Sequence, residues 1–329
     1  MGNDKPRITI VGLGLIGGSI GMALRQAEVA STVVGHDKEP TASKKAKKLG
    51  AVDRTDWNLI SACETSDLII LAMPIDGIRE TLAAIGPYLR AGTVIMDTTT
   101  LKVPVLAWAD EILPDHIHFV GTNPIIGELA VIGGGLDAAR ADLFKNRLIC
   151  LVPSIKADPE VVQLASNVVA ILGAKPLFVD AAEHDGLMGG VDQLPSLMAL
   201  ALLETMSSQV SWRELRKVAG AAFETGTHLA SPDPESYSEL MTANRDNVIR
   251  WIDAMSTTLA SLRQALLEEE PQAVADRFEH SMEERNRWLR DREEAVWDAA
   301  SGPELPPKPN LIADMFLGGL GRKGRKKDS

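Results

Sequence analysis

Six residues near the start, Gly12-Leu13-Gly14-Leu15-Ile16-Gly17, set the tightest limit on what this chain folds into. They form a G-x-G-x-x-G between an apolar run, residues 7–12, and a stretch of helical period, residues 15–26. In a strand–turn–helix the first glycine permits a tight turn, the second lets the backbone approach a pyrophosphate, and the third lets helix and strand pack closely. The free N–H groups and the dipole at the helix start then favour phosphate. Gly12, Gly14, Leu15, Ile16 and Gly17 are therefore expected to cradle a dinucleotide, with Gly18 and Ser19 extending the turn toward the phosphates. Asp37 closes a second predicted strand, residues 32–37. It falls about 25 residues after Gly12, near where an acid grips the adenosine 2′-hydroxyl. An acid there repels a 2′-phosphate, which favours NAD over NADP; the neighbouring Lys38 works the other way.

The rest of the first half repeats the same unit. Predicted strands at 67–72, 93–97, 117–121 and 148–152 alternate with amphipathic stretches, among them the Lys-rich residues 40–49. The run Asp67-Leu-Ile-Ile-Leu-Ala72 is apolar throughout, as in a strand covered on both faces, and Pro74 suits a helix start. Such alternation predicts a mainly parallel sheet with right-handed crossovers. The expected class is α/β: a Rossmann-type doubly wound sheet over residues 1–179, followed by an all-helical domain over residues 180–300. A capping box at Asp180–Glu183 opens that domain, with three or four helices broken near Gly190, near Ser231–Pro234 and near Pro271. Residues 301–329 form a Pro-rich, basic tail with six Lys/Arg against three Asp/Glu.

Composition excludes several functions. The net charge of −11 argues against a nucleic-acid-coating surface. Two isolated cysteines, Cys63 and Cys150, exclude a disulfide scaffold or a thiolate metal site. His116 and His118, two apart on a predicted strand, lack a third ligand, so no metal is expected. No apolar run reaches the about 20 residues that span a bilayer. The start shows no apolar signal region, so a cytoplasmic chain is expected. The six tryptophans read as core or interface packing.

Beyond the glycine turn, several segments resemble the prephenate/arogenate dehydrogenase family of tyrosine biosynthesis, in order and with compatible spacing. They are Gly12–Gly21, Ser66–Pro74, Asp97-Thr-Thr-Thr-Leu-Lys102 against D-x-x-S-x-K, and Gly121-Thr-Asn-Pro124 against G-x-H-P. Glu183-His184-Asp185, Leu194-Pro195 inside an S-H-L-P-H, and Gly226–Ala230 against T-R-I-A follow. The resemblance implies a Rossmann domain and a dimerising helical domain. It also implies hydride transfer to NAD with oxidative decarboxylation of a carboxylic acid, with Met73, Pro74 and Thr98 joining the cofactor site.

The departures fall on the family's chemical positions. Asn123 replaces the histidine that hydrogen-bonds the substrate's ring hydroxyl; an amide orients a hydroxyl but does not take its proton. Asp192-Gln193-Leu194-Pro195-Ser196 lacks both histidines, and His228 stands where an arginine fork grips a carboxylate. Two readings follow. In one, the chain is a dehydrogenase of prephenate, arogenate or another acid. Thr100 and Lys102 then hold substrate polar groups, Asn123 and Gln193 orient it, and His228 or His184 accepts a proton. In the other, it is a non-catalytic dinucleotide-binding sensor or partner subunit. His184 otherwise braces a helix, and Asn244 and Arg245 sit on a helix that approaches a neighbouring subunit.

Overall fold

A computed structural model describes residues 5–127, 134–154, 156–230, 233–268 and 271–294; the tail at 301–329 lies outside the described residues. The chain divides into an α/β unit up to Asp180 and a helical unit, Ala181–Arg287.

The α/β unit is built on eight strands: β1 (Arg7–Val11), β2 (Thr32–His36), β3 (Arg54–Thr55), β4 (Leu68–Leu71), β5 (Val94–Asp97), β6 (His118–Pro124), β7 (Leu148–Pro153) and β8 (Lys175–Phe178). They lie in the order β3-β2-β1-β4-β5-β6-β7-β8. Helices α1 (Leu15–Gln26), α2 (Pro40–Lys48), α3 (Leu59–Cys63), α4 (Ile78–Ile85), α5 (Val103–Ile112) and α6 (Pro159–Ile171) fill the crossovers. The β4 run Leu-Ile-Ile-Leu is buried at every position, as a strand covered on both faces requires. With Ile8, Ile10, Val33 and Val120 it forms part of the core. Chain order reverses between β1 and β4, and in such sheets a ligand crevice opens at the carboxyl ends of the strands there.

Three features depart from the strand pattern read in the sequence. Strands β3 and β8 lie outside the expected set: two residues are too few to display a period, and β8, Lys-Pro-Leu-Phe, has exposed ends and no buried run. β7 runs antiparallel to β6, pairing Asn123 with Cys150 and Pro124 with Ile149. That pairing carries β6 three residues past the expected end, so Asn123 sits in strand and not in loop. His116 precedes the strand and shares no strand face with His118.

The helical unit holds α7 (Ala181–Met188), α8 (Leu194–Ser207), α9 (Trp212–Val218), α10 (Ala221–Thr227), α11 (Pro234–Ala243), α12 (Arg245–Leu267) and α13 (Pro271–Glu294) as far as Arg287, more than the three or four helices expected. The chain does not break at Gly190: a π-helical turn, Gly189–Gln193, joins α7 to α8 without interruption. The glycines serve packing instead. A Cβ on Gly190 would come within 2.7 Å of the Trp251 ring, and Trp251 Nε1 donates to the Gly186 carbonyl at 2.9 Å. The continuous helix Ala181–Ser207 is, by length and composition, long and apolar enough to cross a membrane, contrary to the expectation from the sequence. It carries the buried polar side chains His184, Asp185 and Gln193, residue types that are costly to place in lipid.

Candidate functional site

The glycine turn has the geometry its spacing demands. Gly12 adopts φ +92°, a conformation that L side chains avoid, and its N–H donates to the His36 carbonyl at 2.9 Å. A Cβ on Gly17 would stand 1.9 Å from the Gly12 carbonyl oxygen, whereas a Cβ on Gly14 would meet nothing within 4 Å. The first and third glycines thus close the turn, and the second leaves space in front of α1. That helix starts at Gly14 with no side-chain cap and no acid in its first turn. The N–H groups around Leu15 and Ile16 therefore present an uncapped donor set to an anion. Asp37 stands beside it: Oδ2 accepts from Leu13 N at 2.8 Å and Oδ1 from Glu39 N at 2.8 Å. These two bonds aim the carboxylate at the turn, where an adenosine ribose would lie. The residues fit a dinucleotide.

Gly18 and Ser19 do not join this cradle. Ser19 is buried and its Oγ accepts from Arg140 N at 3.0 Å, while a Cβ on Gly18 would meet Leu136 at 2.5 Å. Their small size serves the packing of residues 136–140 on α1.

The carboxyl ends of β4, β5 and β6 gather the next group of expected site residues. Met73 is half-buried, folded over Gly77, and its sulfur accepts from Thr81 Oγ1 at 3.5 Å. Pro74 opens the single turn Ile75–Gly77 and is exposed. Thr98 N donates to the Leu71 carbonyl at 3.0 Å, which ties the β5 end to β4. Thr98 and Thr100 are half-buried, while Thr99 between them is buried. Thr100 makes no hydrogen bond to another described residue, so its hydroxyl is open to a ligand.

Lys102 departs from expectation. It is fully buried, with an ammonium paired to Asp97 and bonded to Thr99 Oγ1 at 3.1 Å and to the Thr122 carbonyl at 2.8 Å. Its ammonium is thus spent on protein groups. Asp97, which the sequence reading passed over, collects Lys102 Nζ, Thr99 N at 3.0 Å, Thr99 Oγ1 and Thr122 N at 3.1 Å. Asn123 follows at once, 6% exposed. Its ladder partner Cys150 is buried, which pushes the thiol up to about 11 against the opposing pull of the Lys102 charge.

A second polar cluster lies inside the helical unit. His184 Nδ1 pairs with Asp185 Oδ1 at 2.9 Å, and Asn244 Nδ2 donates to the Asp185 carbonyl and to Gln193 Oε1, both at 2.8 Å. Gln193 is fully buried, yet its Nε2 has no acceptor among the described residues. His228 stays outside this cluster, exposed at the end of α10. Asn244 is drawn into it, which its position on a charged helix did not reveal. Arg245 remains at the surface beside Asp246.

A doubly wound dinucleotide fold with an uncapped glycine turn, followed by a helical domain with a buried polar cluster, defines a Rossmann-type oxidoreductase architecture. Family comparison narrows the class. The prephenate dehydrogenase nucleotide-binding domain family matches residues 20–177, and the prephenate dehydrogenase dimerization domain family matches residues 180–292. The chain belongs to the prephenate dehydrogenase family. The first match begins after the glycine turn, which therefore stands on its own geometry. A prephenate dehydrogenase of Bacillus subtilis is 26% identical over 291 residues, covering 87% of this chain and 77% of that protein. The Streptomyces niveus protein named "Probable prephenate dehydrogenase NovF" is 30% identical over 259 residues, covering 78% and 68%. Among solved structures, Aquifex aeolicus prephenate dehydrogenase in complex with hydroxyphenyl propionate and NAD+ shares the fold with a TM-score of 0.78, at 24% identity over 86% of this chain and 98% of that one.

Proposed function

We propose that this chain is an NAD-dependent dehydrogenase of prephenate or arogenate, which removes a hydride from the hydroxyl-bearing ring carbon while the ring carboxylate leaves as CO2. The observation that carries this reading is the uncapped, unobstructed start of α1 beside the anchored carboxylate of Asp37, in a chain whose two domains both match the family. NAD, when bound, supplies the hydride acceptor. Gly12, Gly14, Leu15, Ile16 and Gly17 hold the pyrophosphate, Asp37 the adenosine ribose, and Met73, Pro74 and Thr98 the nicotinamide end. Asp37 repels a 2′-phosphate, which makes NADP the poorer cofactor.

The side chains in contact with substrate do limited proton chemistry, and the reaction asks for little. The ring hydroxyl keeps its proton in the phenol product, so the need is for an acceptor that aligns it as positive charge develops on its carbon. The Asn123 amide oxygen meets that need, with the Thr100 hydroxyl binding a polar group of the substrate. Catalysis then rests on placing the ring against the nicotinamide, with aromatisation supplying the driving force. The exposed His228 serves a substrate carboxylate less tightly than an arginine would. We infer a soluble cytoplasmic enzyme that pairs with a second copy through the helical unit. The dimerization-domain match and exposed apolar side chains such as Ile249, Leu259, Phe278 and Met282 support the pairing.

The test follows nicotinamide reduction by purified protein with each acid and each cofactor. Turnover with NAD and either acid is expected. NAD binding without turnover on both acids would overturn the reading and leave a dinucleotide-binding module without this chemistry.

A further inference from the structure

The β5–β6 ladder ends at Met96↔Val120, but β6 continues to Pro124. Beyond that point the edge of β6 facing β5 has lost its neighbouring strand. Buried peptide groups left in this way need partners. Asp97 and Lys102 supply them: the Thr122 N–H donates to Asp97 Oδ1 at 3.1 Å and the Thr122 carbonyl accepts from Lys102 Nζ at 2.8 Å. The Thr122 hydroxyl also donates to the Asp97 carbonyl. All three polar groups of Thr122 are thus held by this pair, and the other edge of the same segment is held by β7 through Asn123↔Cys150. Both ions are fully buried, and the Lys102 stem packs so closely that a Cβ on Gly121 would come within 2.9 Å of its Cδ.

We propose that the Lys102–Asp97 pair is a positioning device for Asn123, an electrostatic substitute for the missing length of β5 that fixes the strand end from which Asn123 reaches the substrate hydroxyl. This rests on the dehydrogenase reading for its effect on turnover, though not for its effect on the strand. Lys102 acts through Thr122 and Asn123 and touches neither substrate nor cofactor. A buried pair of this kind is a costly way to gain stability alone, which fits a role in holding one geometry.

The test is a double-mutant cycle. The variant Lys102→Gln with Asp97→Asn removes both charges together and keeps hydrogen-bonding groups in place. Losing the alignment is expected to lower kcat about tenfold, the worth of one hydrogen bond, with KM for NAD unchanged. In an Asn123→Ala background the same neutral pair is expected to change kcat less than about twofold, because the interaction it tunes is already gone. Losses that multiply across the cycle, or a neutral pair with full turnover, would overturn the proposal. Should that variant not fold, Thr122→Val, which deletes only the hydroxyl contact, runs the same cycle with a smaller expected loss. Exchange of the Thr122 amide hydrogen separates this proposal from the dehydrogenase reading. It is expected to quicken about tenfold in the neutral pair whether or not the protein turns over either acid. Unchanged protection would overturn the proposal.

Discussion

The two units each bury a knot of polar side chains, and the knots differ in one respect. In the α/β unit, Asp97, Lys102, Thr99 and Thr122 satisfy one another, sealed from solvent. In the helical unit, the His184–Asp185–Asn244–Gln193 cluster leaves the Gln193 Nε2 donor without an acceptor among the described residues. A closed knot has no bonding capacity left for a ligand, so its residues act on the backbone. An open one retains a donor, and an unsatisfied buried donor costs enough that something is expected to meet it. The contrast reverses a natural guess, since a lysine looks like the better substrate contact and a glutamine the weaker.

The glycine turn gives the largest expected effect on the α/β side. Gly17→Val would drive a side chain into the Gly12 carbonyl, and thermal unfolding should show loss of the folded state, a cost above about 4 kcal/mol. Lys102→Met comes next: it strands the buried Asp97 carboxylate, and urea denaturation should show about 3–5 kcal/mol of destabilisation. Gly14→Val sharpens the division between closing and cradling glycines. With open space at that Cβ, Tm should hold, while calorimetric titration shows NAD binding weakened about a hundredfold, or about 2.7 kcal/mol. On the open side, Gln193→Met keeps the shape and removes the orphan donor. Because it also removes the Oε1 acceptor of Asn244 Nδ2, stability should fall by about 1–2 kcal/mol while kcat/KM falls about tenfold. A large stability loss with intact turnover would show this knot to be structural as well. The smallest effect is at Asp37→Ser, where NAD affinity should drop about fivefold and the preference over NADP should narrow, about one hydrogen bond's worth.

The parts of the fold legible in the sequence are those fixed within one turn or one strand. Arg7–Val11 and Leu15–Gln26 announce themselves by period, and Gly12, Gly14 and Gly17 by spacing. The Gly189–Gly190 pair misled for the same reason. Two adjacent glycines read locally as a break, and only the Trp251 ring, some sixty positions along the chain, shows that they clear space within a continuous helix. Ser19 misled likewise: a polar residue just past the turn looks like a phosphate donor until Arg140 N takes its oxygen.

Sequence by itself determined the alternating architecture, the dinucleotide turn and the family resemblance, because these depend on local conformation and on residue types at short, fixed intervals. Tertiary structure alone decided which polar side chains are spent and which are available. Whether Lys102 faces a substrate or seals a strand depends on Asp97 and Thr122, and whether Gln193 has a free donor depends on Asn244. Hydrogen-bond capacity is consumed by whatever folding brings within about 3 Å, and that distance is not written in the spacing of residues along a chain.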